Sequence, residues 1–162
     1  MTTRLEQQRR MYGRPTEGGG SLDLATANYY DRRDSGLRDD PERLAQSRNE
    51  RQQTRRFLEA HGISPNRAQE VLDVLREHDL RPRRADDARW KSTFEHLRLQ
   101  TGSEATAREI FERAQVGAKV IGRDLPALAA RADASGAVAD PKVMQFLAQV
   151  ADAPPSEPPA AA

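Results

Sequence analysis

From Asp40 onward the apolar positions recur at helical spacing, and no stretch alternates strictly as a half-buried strand would. The pattern predicts an all-α fold, a small helical domain of about five to six helices. Asp40 and Pro41 read as N-cap and first turn of a helix that runs through "ERLAQSRNERQQTRRFLEAHG" to a stop at Gly62. Between Ala45 and Phe57 that helix has no apolar residue, so residues 40–62 are expected to be solvated all round or satisfied by charge pairs, including with another copy.

Ser64 and Pro65 open the next helix, which carries Ala68, Val71, Leu72 and Leu75 and ends near Leu80, before Pro82. A third, over 85–100, places Trp90, Phe94 and Leu97 on one face, and its stripe is expected to meet that of the helix before it. The fourth is capped by Ser103, carries Ile110, Phe111, Ala114, Ala118 and Ile121, and is expected to close at Gly122. A hairpin over 124–152 completes the domain that begins at residue 63. Asp124 is read as cap of a short helix with Leu125, Leu128 and Ala129, Gly136 as the turn, and Asp140–Pro141 as the restart. The last helix shows Val143, Phe146, Leu147 and Val150 on one face.

The two ends break this pattern. Residues 1–39 hold Gly18, Gly19 and Gly20 and clusters such as "YYDRRDSGLRDD", with too few apolar side chains to offset the entropy of ordering them. They are expected to form a flexible N-terminal arm, except that Leu22, Leu24, Tyr29 and Tyr30 could dock on a partner or on the body. The Pro/Ala-rich tail 153–162, "APPSEPPAAA" from Ala153, is expected to be disordered and extended.

Composition narrows the classes. In 162 residues, 36% hydrophobic content limits the core, and 26 basic against 25 acidic side chains leave a net charge of +1 that draws the chain to neither nucleic acid nor membrane as a whole. The basic side is 23 Arg to 3 Lys. Cysteine is absent, which removes disulfide and thiolate chemistry. No apolar run approaches about 18 residues and the first residues lack the apolar centre of a signal peptide, so no membrane is expected.

Candidate chemistry is sparse. His61, His78 and His96 sit apart on three predicted helices without a metal-ligand spacing, and the first two suit helix C-termini. The neighbours Asp39/Asp40 and Asp86/Asp87 point away from each other on a helix and read as helix-entry residues. "EGGGS" lacks the preceding strand and following Lys of a phosphate loop. No catalytic residue, metal or cofactor is expected, and the chain is read as a non-enzyme. One basic cluster stands out: "RPRRADDARWK" supplies Arg81, Arg83, Arg84 and Arg89 as possible nucleic-acid contacts, with Asp86 and Asp87 opposing them.

"ATAREIFERAQVGAKVIG" followed by "LPALAARADASGAVADPKVMQFLAQVADA" resembles the C-terminal end of head scaffolding and related capsid-assembly proteins of tailed bacteriophages, over about residues 103–152. There an amphipathic helix leads to a short helix, a small-residue turn and a Pro-started helix. The resemblance implies a non-enzymatic, mostly helical protein that oligomerises and holds coat subunits through its C-terminal module while the procapsid forms. Asp140, Pro141, Val143, Phe146 and Leu147 would shape that module, with Arg131, Lys142 and Arg123 as polar contacts. The chain lacks the long acidic rod of those proteins.

The leading expectation is thus a bacteriophage head or virion structural protein, scaffolding-like or a minor capsid component, that binds coat or other head proteins. It would act as a homo-oligomer or in multiple copies, in the virion or in the host cytoplasm during assembly. Val143, Phe146, Leu147, Val150, Lys142 and Arg131 are its expected partner contacts. The apolar four could instead be buried against Ile110, Phe111 and Ile121 as ordinary core. The alternatives are a DNA-packaging or DNA-associated phage protein using the Arg-rich segments, and a bacterial helical adaptor.

Overall fold

The computed structural model describes residues 21–152; the expectations for residues 1–20, the glycine run included, and for the tail 153–162 lie outside the described residues. The fold is all-α, with seven α-helices and one short 3-10 turn among the described residues. They are α1 (Leu22–Ser35), α2 (Pro41–Ala60), α3 (Pro65–Leu80), α4 (Asp87–Thr101), α5 (Glu104–Asp124), α6 (Pro126–Ser135) and α7 (Pro141–Asp152), with the 3-10 turn at Ala137–Ala139 between α6 and α7.

Local chemistry sets most boundaries. Ser21, Asp40, Ser64, Asp86 and Ser103 each accept a hydrogen bond from the backbone N–H three residues on, which satisfies a donor that the first helical turn cannot. Pro41, Pro65 and Pro126 occupy first-turn positions where a missing N–H costs nothing. Gly102 and Gly136 stop their helices at φ +72° and +78°, a region that side-chain-bearing residues avoid.

Residues 22–35 are the first correction, since a helix replaces the flexible arm expected there, while the docking on the body allowed for Tyr29 and Tyr30 holds and Leu24 stays exposed. Tyr29 and Tyr30 are buried, and the Tyr29 hydroxyl donates to Asp79 at 3.0 Å. α1 and α2 form an antiparallel hairpin in which Asp34 meets Ser47, Asp31 meets Arg51 and Asp23 meets Arg55. For residues 40–62 the charge-pair alternative holds, with Arg51, Arg55 and Glu50 paired within the same chain. The polar helix also meets its own chain through buried Ser47, Thr54, Phe57 and Leu58.

The second correction is at the expected break. α5 runs past Gly122 to Asp124, because the Leu125 N–H still donates to the Ile121 carbonyl at 2.7 Å. Asp124 therefore ends a helix and pairs with Arg123, and the short helix starts at Pro126 without a side-chain cap. The third concerns α4, whose Trp90 and Phe94 pack edge-on against Phe111 of α5, at 6.1 and 5.5 Å between ring centres, and not against α3. α3 packs instead against α1, α6 and α7.

The core is centred on α5 and α7, the most extensive helix pair. They run antiparallel, with Arg113 paired to Asp152 at one end and Ile121 beside Val143 at the other. Their close approach depends on Gly117: a Cβ there would overlap the backbone carbonyl of Leu147.

Candidate functional site

The face expected to hold a partner is core. Val143, Phe146, Leu147 and Val150 are 3%, 6%, 6% and 1% exposed, so the terminal hairpin closes over its own body, as the alternative reading of those four residues had it. The physical reason is the Gly117 contact, which draws α7 so close to α5 that its apolar face is sealed from water. Arg131 is likewise not a free polar contact. Its guanidinium lies against Glu50 of α2, with Nη1 donating to Oε1 at 2.8 Å and Nη2 to Oε2 at 2.5 Å. Lys142 is exposed at the start of α7, where the Asp140 carboxylate accepts its backbone N–H at 2.8 Å.

Glu50 is the hub of a network that ties α1, α2 and α6. The Tyr30 hydroxyl donates to its Oε2 at 2.5 Å, which leaves Thr54 as donor to the Tyr30 oxygen at 3.0 Å. Burial alone would raise the Glu50 carboxyl, but the hydrogen bonds from Arg131 and Tyr30 outweigh it and hold the group below its ordinary value. Burial, followed by the Glu50 charge, pushes the Tyr30 hydroxyl well above its ordinary value. The network is structural: both carboxylate oxygens are occupied.

An opening remains beside the sealed helix. Trp90 of α4, Phe111, Ala114, Gln115 and Ala118 of α5, Val138, and Met144 and Leu147 of α7 surround a mainly apolar groove of about 440 Å³, with Asp133 at its rim. A smaller cavity of about 60 Å³ continues it between α5 and α6, sharing Ala118, Asp133, Val138 and Leu147. The groove exists because Ala114 and Ala118 are too short to fill the space between the Trp90/Phe111 pair and the 3-10 turn. Ala118 and Asp133 are exposed, and Asp133 has no cationic partner among the described residues. Sequence reading placed Ala114 and Ala118 on the core stripe and passed over Val138, Met144 and Asp133. The signal available was the run of alanines on α5 opposite aromatic residues.

The basic cluster has a defined place as well. The segment 81–86 is extended and fastened to the hairpin turn: the Arg83 N–H donates to the Ser135 carbonyl at 2.9 Å. Gly136 makes this possible, since a Cβ there would overlap the Arg83 carbonyl. Arg89 donates through Nη1 to that same carbonyl and through Nη2 to His78 Nε2 at 3.3 Å. His78 Nδ1 faces the Val74 carbonyl at 3.0 Å; a carbonyl only accepts, so Nδ1 carries the proton and Nε2 is the acceptor. Burial, then the nearby Arg83, lowers Arg89 from its ordinary value. Arg81, Arg83, Arg89, His78 and His96 line a polar cleft of about 380 Å³ together with Glu77 and Asp140. Arg84 stands exposed beside it in sequence and is not part of that lining.

Among the described residues no group of three or more His, Asp or Glu side chains is arranged to hold a metal ion. No helix among them is long and apolar enough to cross a membrane. No protein-family model matches the chain, and neither curated proteins nor solved structures give a match.

Proposed function

We propose that the chain is a non-enzymatic structural component of a tailed-bacteriophage head, scaffolding-like or a minor capsid protein, which binds coat or other head proteins in the virion or in the host cytoplasm during assembly. The observation that carries this reading is the groove between α4, α5 and the 3-10 turn. It is an apolar trough on a packed helical body, and its half-buried Trp90 is the kind of side chain that dominates binding energy at protein interfaces. The resemblance of residues 103–152 to capsid-assembly proteins supports the biological setting.

The occupant is an amphipathic segment of a head protein that places an aliphatic or aromatic side chain over Ala114 and Ala118. The unpaired Asp133 at the rim selects a Lys or Arg next to that anchor. Recognition thus moves from the hairpin's apolar face, which is core, to the trough that the same hairpin helps to floor through Met144 and Leu147.

A photo-crosslinking amino acid at exposed Gln115, with the coat protein of the same genome co-expressed, tests the reading. Crosslinks to a coat segment with a basic residue beside an apolar one are expected. A coat protein that assembles without any crosslink to Gln115 refutes the groove as the coat contact.

A further inference from the structure

α4 sorts its charges between two faces. Asp87, exposed in its first turn, shares a side with Trp90 and Phe94, which meet Phe111 at the groove. Arg89, Ser92, Thr93 and His96 face the other way, into the polar cleft. The Asp86 carboxylate is occupied as N-cap, accepting the Arg89 N–H at 2.9 Å. Asp86 and Asp87 therefore do not stand among the cleft's lining residues, although the Asp86 charge still acts on Arg89.

The cleft is also built. Arg81 and Arg83 are held by their backbones, the first N–H donating to the Glu77 carbonyl and the second to the Ser135 carbonyl, each at 2.9 Å. Their guanidinium groups are exposed and have no carboxylate partner among the described residues, unlike Arg51, Arg55, Arg67, Arg98, Arg108, Arg113, Arg123 and Arg131. Arg89 is oriented by two acceptors, and its planar fork is fixed at the cleft wall. Two acids border the cleft, Glu77 and Asp140, the latter also accepting the Lys142 N–H at 2.8 Å, against the three arginines Arg81, Arg83 and Arg89.

We infer that this cleft binds the backbone phosphates of a nucleic acid through Arg81, Arg83 and Arg89. Guanidinium groups on a fixed backbone meet phosphate oxygens in pairs, and Ser92 and His96 add further hydrogen-bonding groups beside them. Such a contact is independent of sequence. It lies on the face of α4 opposite the groove, so nucleic acid and a head protein could be held at once.

The probe is a labelled single-stranded oligonucleotide, with binding followed by fluorescence anisotropy across a salt series. Three neutralised phosphates give a slope of log K against log salt of roughly −2. The double variant Arg81→Glu/Arg83→Glu is expected to weaken binding by about tenfold or more with an unchanged melting temperature, because both side chains are exposed. Arg48→Glu/Lys119→Glu makes the same change of net charge at exposed positions elsewhere and is expected to retain binding. Equal loss in both double variants, or no measurable binding by the wild type, overturns the proposal. So does inorganic phosphate that competes as well, per phosphate, as the oligonucleotide itself.

Discussion

The guanidinium of Arg131 and the carboxylate of Glu50 meet in two parallel hydrogen bonds, of 2.8 and 2.5 Å, across 81 residues of sequence. With 24% and 13% of their side-chain surface exposed, they join α6 to a helix, α2, whose other substantial packing is against α1 alone. Removing one partner leaves the other charge largely buried, which costs about 3 kcal/mol or more. Glu50→Gln is therefore expected to lower the stability of the whole domain measured by urea unfolding, and to loosen α2 first in hydrogen exchange.

The same residue sets a pH dependence. Glu50 is held below its ordinary value of 4.5, so its contribution is fully present above that pH and is lost as pH falls through the lower, folded value. Stability of the wild type should drop with acid in that window. Glu50→Gln should show a shallower drop over the same range in thermal scans, and equal slopes would contradict the assignment.

Gly117→Ala separates packing from helix propensity. Alanine favours an isolated helix by about 1 kcal/mol, yet here its methyl would overlap the Leu147 carbonyl, and backbone cannot move aside as a rotamer can. A net loss on the order of 3 kcal/mol is expected in chemical denaturation. Any stabilisation would show that α5 and α7 are farther apart than described.

Phe146 is 6% exposed, and its truncation to Ala should cost about 3–5 kcal/mol of folding stability. Calorimetry is expected to show a large fall in melting temperature. An unchanged melting temperature would return Phe146 to the role of an exposed anchor.

These outcomes bear on how far the sequence could be read. Caps were legible because each is a local event: Asp40, Ser64 and Ser103 need only the N–H three residues on. Gly62 and Gly136 were legible as stops for the same reason, at φ +66° and +78°. Gly122 looked alike and behaves otherwise, since nothing local tells a glycine inside a helix from one that ends it. α1 was legible only as a segment that could dock on a partner or on the body, because Tyr29 and Tyr30 are secured by Asp79 and Glu50, 50 and 20 residues away. The groove was illegible for a related reason. Periodicity shows which side of α5 is apolar, but not that Ala114 and Ala118 leave space beneath Trp90 and Phe111.

Ala118 offers the most direct test of the groove as the seat of a head protein. It is exposed and lines both the groove and its narrow extension, so Ala118→Arg occupies the trough from its solvent side, above Met144 and Leu147. The measurement is sedimentation of particles formed when the chain is co-expressed with the coat protein of the same genome. The wild-type chain is expected to travel with the particles, and Ala118→Arg, with an unchanged melting temperature, to stay at the top of the gradient. A wild-type chain that never enters the particles, or an Ala118→Arg chain that enters them equally, would contradict that role of the groove.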